Sequence, residues 1–145
     1  MKRRVPREVL AQLRDVSLFS NCTNKQLQRV AGLGTQSSVR EGRSVTVSGA
    51  PGSECFIVLS GRASCRVSGR TVATFGPGDI FGELSLIDGG SRTASVVAEA
   101  PMQVLALSRG EFGQLLEVAP SIARAMLGTL AVRLRAADAL IAQPA

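Results

Sequence analysis

Between Ser37 and Phe75 the hydrophobic period is two, β-branched residues are frequent, and Gly42, Gly49, Gly52, Gly61 and Gly69 punctuate the run. A period of two sends alternate side chains to opposite faces of an extended chain, so this stretch predicts short strands joined by tight turns. The expected strands are Val45 to Val47, Cys55 to Leu59, Ala63 to Val67 and Arg70 to Phe75, with hairpin turns at Gly61 and Ser68-Gly69. Ala94 to Ala98 and Met102 to Leu107 add two more, separated by Glu99-Ala100-Pro101. Several short strands at this spacing point to a sandwich or a barrel.

Helical patterns flank the strands. Residues 6–14 carry Val9, Leu10 and Leu13 on one stripe, and Pro6 suits a helix start. Ser17-Leu18-Phe19-Ser20 breaks that helix, and the Leu18–Phe19 pair is expected in the core. Thr23-x-x-Gln26 reads as a capping box whose helix turns Leu27, Val30 and Ala31 inward and ends near Gly32 or Gly34. Ser108-x-x-Glu111 repeats the device ahead of Phe112, Leu115 and Leu116. Pro120 then opens a final helix of about five turns, reaching roughly Ala139. Its stripe is Ala123, Met126 or Leu127, Leu130, Leu134 and Ala137, flanked by Arg124 and Arg133, and it is expected to pack on the barrel. The chain therefore divides into a helical segment (1–35), a β-roll (36–107) and C-terminal helices (108–145).

Composition narrows the chemistry. The chain has 145 residues, 45% of them hydrophobic and 19% charged, which fits one folded domain. No apolar run reaches the roughly 18 residues of a membrane span. Met1-Lys2-Arg3-Arg4 has the charge of an export signal, but Val5-Pro6-Arg7-Glu8 is no apolar core for one, so the expected location is cytoplasmic. There is no histidine, and Cys22, Cys55 and Cys65 lack metal-like spacing, which argues against zinc or iron catalysis and histidine triads. Cys55 and Cys65 could face each other across a hairpin, and reduced thiols are expected. Net charge is +6, with arginines clustered at Lys2 to Arg7 and at Arg133 and Arg135. Five phenylalanines and no tyrosine or tryptophan offer no stacking platform, so direct nucleic-acid binding is not expected, although the field favours anionic ligands.

Phe81 to Val96, F-G-E-L-S-L-I-D-G-G-S-R-T-A-S-V, holds the densest chemistry. Pro77-Gly78-Asp79 stops the preceding strand, and Gly82 lets backbone approach a ligand closely. Glu83 to Ile87 is long enough for one to two helical turns, whose amino end presents unpaired N–H groups to an anion. After the Asp88-Gly89-Gly90 turn, Arg92 supplies a permanent charge and a fork of donors matched to phosphate. Glu83 would repel a phosphate but accepts hydrogen bonds from hydroxyls, as an acidic residue does on a ribose. Phosphate beside ribose suggests a nucleotide. The plainer alternative makes Glu83 a helix cap and Arg92 a solvated turn charge.

The full string resembles the phosphate-binding cassette of the cyclic nucleotide-binding domain family, in its catabolite activator, kinase regulatory subunit and gated-channel branches. The likeness covers about residues 15–140. It implies a mainly β fold with flanking helices: an eight-stranded jelly-roll β-barrel, N-terminal helices, a C-terminal lid helix, and the cassette (81–96) between the sixth and seventh strands. It further implies that Glu83 bonds the ribose 2′-hydroxyl and that Arg92 pairs with the cyclic phosphate. Backbone N–H groups of Gly82, Leu84 and Ser85 complete the cradle, Thr93 sits beside the phosphate, and Phe81 and Ala94 belong to the same ligand-binding run. The base would lie against Cys65, Val72 and Ala73 and meet Arg133 and Leu134 of the final helix. Ser91 stands where many members carry proline, which loosens the turn without removing a ligand contact.

The function so implied is a regulatory sensor without catalysis or cofactor. Its ligand is cAMP, with cGMP possible because Thr93 sits where cGMP-selective members reach the guanine amino group. The partner is an unspecified effector protein or domain. Arg92 is expected to matter far more to binding than to stability, as a turn arginine. Among the alternatives, a DNA-binding regulator needs a helix-turn-helix after the last helix, where only Ile141 to Ala145 remain. The ligand domain of a channel or transporter also fits. A cupin-type enzyme needs histidine ligands that this chain lacks. A degenerate docking domain is disfavoured by the intact Glu83 and Arg92.

Overall fold

The computed structural model describes residues 7–142. Pro6, the charges of Lys2 to Arg4 and the last residues of the Ile141 to Ala145 tail lie outside that range. Helix α1 (Arg7–Arg14), a 3-10 turn (Ser17–Phe19) and α2 (Asn24–Leu33) precede strands β1 (Thr35–Val39), β2 (Ser44–Thr46), β3 (Glu54–Ser60), β4 (Ala63–Val67), β5 (Arg70–Phe75) and β6 (Ile80–Phe81). Helix α3 (Glu83–Asp88) leads into β7 (Ser95–Ala98) and β8 (Met102–Ser108), and α4 (Arg109–Val118) and α5 (Pro120–Ala142) follow. The strands form two four-stranded antiparallel sheets, ordered β1-β8-β3-β6 and β2-β7-β4-β5. This is the expected jelly-roll, with the cassette helix between the sixth and seventh strands.

The first sheet separates two cores, and its central strands face both. Cys55, Ile57 and Leu59 of β3 and Leu105 and Leu107 of β8 pack on Val9, Leu13, Phe19, Val30, Leu115 and Ile122 of the helical layer. Phe56 and Val58, with Met102, Val104 and Ala106, face the second sheet. A strand covered on both sides cannot alternate apolar with polar residues, which is why Cys55 to Leu59 is apolar throughout. On the inner side Phe81 stacks on Phe56 at 5.2 Å and on Phe75 at 5.3 Å, tying β6 to both sheets. By contrast β5 is an edge strand exposed from Arg70 to Thr74.

Both capping boxes form. Thr23 Oγ1 accepts from Gln26 N at 3.2 Å while Thr23 N donates to Gln26 Oε1 at 2.9 Å, and Ser108 and Glu111 repeat the exchange at 3.2 and 2.8 Å. Two expectations need correction, and one strand is added to those named above. Cys55 and Cys65 do not face each other: one pairs with Leu107 in the first sheet and the other with Ala73 in the second, and all three cysteines are free. T-Q-S-S-V is a strand despite its lack of apolar alternation, because β8 pairs it from Thr35↔Ala106 to Val39↔Met102. The α5 stripe does not stay on the barrel. Ile122 and Met126 are buried and Leu130 is half-buried, but every residue from 131 to 141 is exposed. The chain bends by 109° between α4 and α5, and Arg133 in the exposed outer half of α5 still reaches Glu83 at 3.3 Å. No single helix among the described residues is long and apolar enough to cross a membrane.

Phe19 is 1% exposed, and the 3-10 turn that carries it plugs the helical layer, as the Leu18–Phe19 reading expected. Phe19→Ala should therefore destabilise the fold by about 3–5 kcal/mol. Urea unfolding checks this, with the midpoint falling and the denaturant slope unchanged.

Candidate functional site

The site is built where β6 turns into α3. Gly82 occupies the left-handed region at φ 83°, and a Cβ there would come within 2.7 Å of Arg92 Nη1 and 3.1 Å of the Glu54 carbonyl. Glycine is thus required by the backbone angle and by the space. The far end of α3 is closed: Gly89 N donates to Ser85 O at 3.0 Å, and Arg109 donates to the carbonyls of Leu86 at 2.8 Å and Ser85 at 3.3 Å. The near end has no side-chain cap, so its N–H groups stay free to meet an anion.

Arg92 is only 9% exposed. Its Nη1 donates to Gly82 O at 2.8 Å and its Nη2 to Glu54 O at 2.6 Å. Its backbone is held as well, with Arg92 N on Ala50 O and Gly49 N on Arg92 O, each at 2.8 Å. Gly52 makes room for the guanidinium, since a Cβ at that position would lie 2.9 Å from Arg92 Cζ and 2.5 Å from Ser85 Cβ. A guanidinium has five N–H donors. Two are taken by carbonyls, which leaves three for an anion.

Glu83, 3% exposed, accepts from Arg133 Nη1 of α5 at 3.3 Å, while the Arg133 side chain is 48% exposed. Among the described residues the carboxylate therefore has one partner, and that partner is reachable by solvent. Burial pushes the Cys55 thiol beneath this pair up to about 12, with the Glu83 carboxylate adding to the rise and Arg92 opposing it. A thiol so shifted stays protonated near neutral pH and is no nucleophile. Burial also raises the Cys65 thiol, against the pull of Arg133.

These groups line a cleft of about 100 Å³. Phe81, Gly82, Glu83, Leu84, Ser85, Arg92, Thr93, Ala94, Cys65 and Arg133 all contribute to it. Val72, Ala73 and Leu134 do not. Val72 is 60% and Leu134 63% exposed, and Ala73 is exposed too, so the structure leaves these three expected base contacts outside the lining. A larger cavity of about 160 Å³ lies beyond the Glu83–Arg133 pair, against Ile80, Met126 and Leu130. Of the two, the smaller cleft holds Arg92 and the larger does not.

Thr46, Phe75 and Val96 also line the cleft and escape the sequence reading. Thr46 is 5% exposed, and its hydroxyl donates to Ala94 O at 3.2 Å and accepts from Val96 N at 3.1 Å, which holds the end of the cassette. In Val45-Thr46-Val47 the polar residue faces inward and Val47 is 54% exposed. The strand was legible, but not that its polar residue faces inward. Gly52, Glu54 and Arg109 act as positioning residues from outside the cassette, and no local pattern marks them.

The view of Arg92 as a turn arginine with little weight in stability is corrected by its two carbonyl bonds. Arg92→Ala should lower unfolding stability by about 1–3 kcal/mol through the unpaired carbonyls it leaves. Arg92→Lys should recover only part, because an ammonium lacks the planar, preorganised fork of donors that spans the two carbonyls. Urea and thermal melts without ligand measure both.

Comparison with known proteins bears on the same residues. The family model for the cyclic nucleotide-binding domain matches residues 36–118. The chain is 38% identical over 103 residues to the cyclic AMP receptor protein of Thermus thermophilus, covering 68% of this chain and 48% of that protein. It is 29% identical over 136 residues to the Pycsar effector protein XpPycTIR of Xanthomonas perforans, covering 93% of this chain and 45% of the relative. The chain spans less than half the length of these curated relatives. Among solved structures, the Catabolite Activator Protein of Thermus thermophilus aligns with a TM-score of 0.78 at 32% identity, over 86% of this chain and 61% of that one. The structure described as Sp-2Cl-cAMPS bound to PKAR CBD2 aligns with a TM-score of 0.75 at 25% identity, over 88% and 87%. Because the family match runs through both sheets, the cleft and α4, the chain belongs to the cyclic nucleotide-binding domain family.

Proposed function

We propose that this chain is a regulatory sensor that binds a cyclic nucleotide, preferentially cAMP, and carries no catalysis of its own. The observation that carries the reading is the meeting of buried Arg92 and buried Glu83 in one cleft, joined by the backbone of Gly82. The cyclic phosphate takes the free N–H groups of Arg92 and those at the start of α3. The ribose 2′-hydroxyl donates to Glu83, and the base lies toward Cys65 and Phe75. Thr93 stands beside the phosphate. A relative named for cyclic AMP and a related structure holding a cAMP analogue support the choice of ligand. A cytoplasmic location belongs to the same reading.

The cleft couples to α5 through Arg133. At about 100 Å³ it is well below the roughly 300 Å³ at which a drug-sized ligand is enclosed. A nucleotide on Glu83 therefore displaces or redirects Arg133, and with it the helix that carries it. The ligand shifts a population only as far as it binds the two α5 positions unequally. The output is an effector protein or domain that reads the position of α5.

Calorimetric titration with cAMP, cGMP and 5′-AMP tests this reading. cAMP is expected to bind tightest and 5′-AMP weakest, and the absence of binding by either cyclic nucleotide overturns it. Glu83→Gln should weaken cAMP binding about ten- to a hundredfold, as one charge-assisted hydrogen bond contributes about 1.5–3 kcal/mol. Should cGMP bind more tightly than cAMP, Thr93 is reading the guanine, and Thr93→Ala will erase the difference.

A further inference from the structure

The larger cavity, about 160 Å³, has no part in the function proposed above. It lies between the 3-10 turn, the turn into β6 and α5, and shares with the smaller cleft only Glu83 and Arg133. Those two side chains form the wall between the two spaces. Ile80 and Met126 supply a buried apolar floor, and the half-buried Leu18 and Leu130 stand beside it.

Size limits the occupant. An apolar cavity of about 150 Å³ takes up a molecule as large as benzene. One ring with a short polar arm therefore matches this space.

Charge selects the arm. Glu83 is buried, and among the described residues its partner is the half-exposed Arg133, at 3.3 Å. A desolvated carboxylate with one long bond gains from a closer donor. Asp79, exposed at the rim, adds a second negative charge, and its bond from Gly76 N at 2.8 Å occupies only one of its oxygens. The lining thus sets two carboxylates against one guanidinium. An ammonium group is attracted by both carboxylates, whereas an anion on Arg133 would have to displace Glu83 and lie near Asp79. The net charge of +6 opposes a cation at long range. Exposed charges beyond a Debye length of about 8 Å are screened at physiological salt, so the nearest groups decide.

We propose that this cavity is a second ligand site, for a small primary amine with a ring-sized apolar body. The ammonium takes the place of Arg133 on Glu83, and the body lies on Ile80 and Met126. The site stands on the cavity, the buried carboxylate and the local charge. Its link to the nucleotide rests additionally on the function proposed above. A carboxylate accepts on both oxygens, so an ammonium and a ribose hydroxyl can share Glu83. Each of the two ligands requires Arg133 to leave that carboxylate. Whichever binds first relieves the other of this step, and each strengthens the other by the same factor.

Titration of the whole chain with benzylamine, benzyl alcohol and benzoate, followed by methyl NMR without nucleotide, tests the site. Benzylamine, with about eight non-hydrogen atoms, should saturate with a dissociation constant of about 1 mM or below. It should move the methyl signals of Ile80 and Met126 and leave that of Val104, in the core between the sheets, in place. Benzyl alcohol should bind at least about threefold more weakly, and benzoate should not saturate. Asp79→Asn keeps an acceptor for Gly76 N and should weaken benzylamine about threefold with melting unchanged. Leu130→Trp should fill the cavity and abolish benzylamine binding, with circular dichroism confirming the fold. No saturation by benzylamine overturns the proposal, as does benzoate binding equally well. Signals that move at Thr93 and Ala94 of the cleft instead of Ile80 and Met126 overturn it too, as does full affinity in either folded variant. For the link, cAMP should bind about threefold or more tightly in saturating benzylamine than without it. Equal cAMP affinities overturn the link alone. Absence of cyclic nucleotide binding in a chain that takes benzylamine here overturns the proposed function and leaves the second site standing.

Discussion

Arg92 donates to the carbonyls of Gly82 and Glu54, and through those two bonds one side chain joins three parts of the chain, 10 and 38 residues from it in sequence. The bonds fix the left-handed turn at Gly82, the strand end at Glu54 and the loop that carries Arg92 itself. A buried guanidinium is tolerable only when its donors are matched, and here backbone oxygens match part of the set while the rest line the cleft. Gly52 and Gly82 are glycines because a Cβ at either would occupy space the guanidinium or its neighbours need. One buried residue therefore both ties the backbone together and lines the cleft, and a variant at Arg92 has to be read on both scales.

The second linkage is weaker by design of its geometry. Glu83 is held by the half-exposed Arg133 of α5 at 3.3 Å, longer than the 2.7–2.9 Å of a strong charge-assisted bond. A carboxylate that is buried but loosely held is suited to exchange one partner for another. The cassette side of the cleft is rigid, since Phe81 is stacked between both sheets and the end of α3 is closed by Arg109 and Gly89. The α5 side is free to answer. The two sides of the cleft are thus unequally held.

That wall owes its rigidity to the first sheet, whose central strands β3 and β8 are covered by helices on one side and by the second sheet on the other. The same strands set the ends of the cassette: β3 pairs with β6, which leads into Gly82, and its first residue, Glu54, offers the carbonyl to Arg92. The edge strand β5 shares that cover only at Phe75, and Val72 and Ala73 lie exposed and outside the cleft lining.

Much of this was legible in the amino-acid sequence, for reasons that act over a few residues. The two capping boxes, the turns and the continuous apolar character of Cys55 to Leu59 are local matters of hydrogen bonding and side-chain period. The cassette string is likewise contiguous, so Gly82, Glu83 and Arg92 could be singled out together. Tertiary structure alone decided the rest. β1 is a strand because β8 pairs with it, and Thr46 faces inward because Ala94 and Val96 supply its hydrogen bonds. Arg92 carries stability because Glu54, 38 residues away, accepts from it, and Glu83 answers to α5 through a partner 50 residues on. The α5 stripe had the right period to pack on the barrel, but it is buried only as far as Ile122 and Met126, and residues 131–141 are exposed. A local pattern sets which face of an element is apolar, and only the assembled chain determines whether anything lies opposite that face.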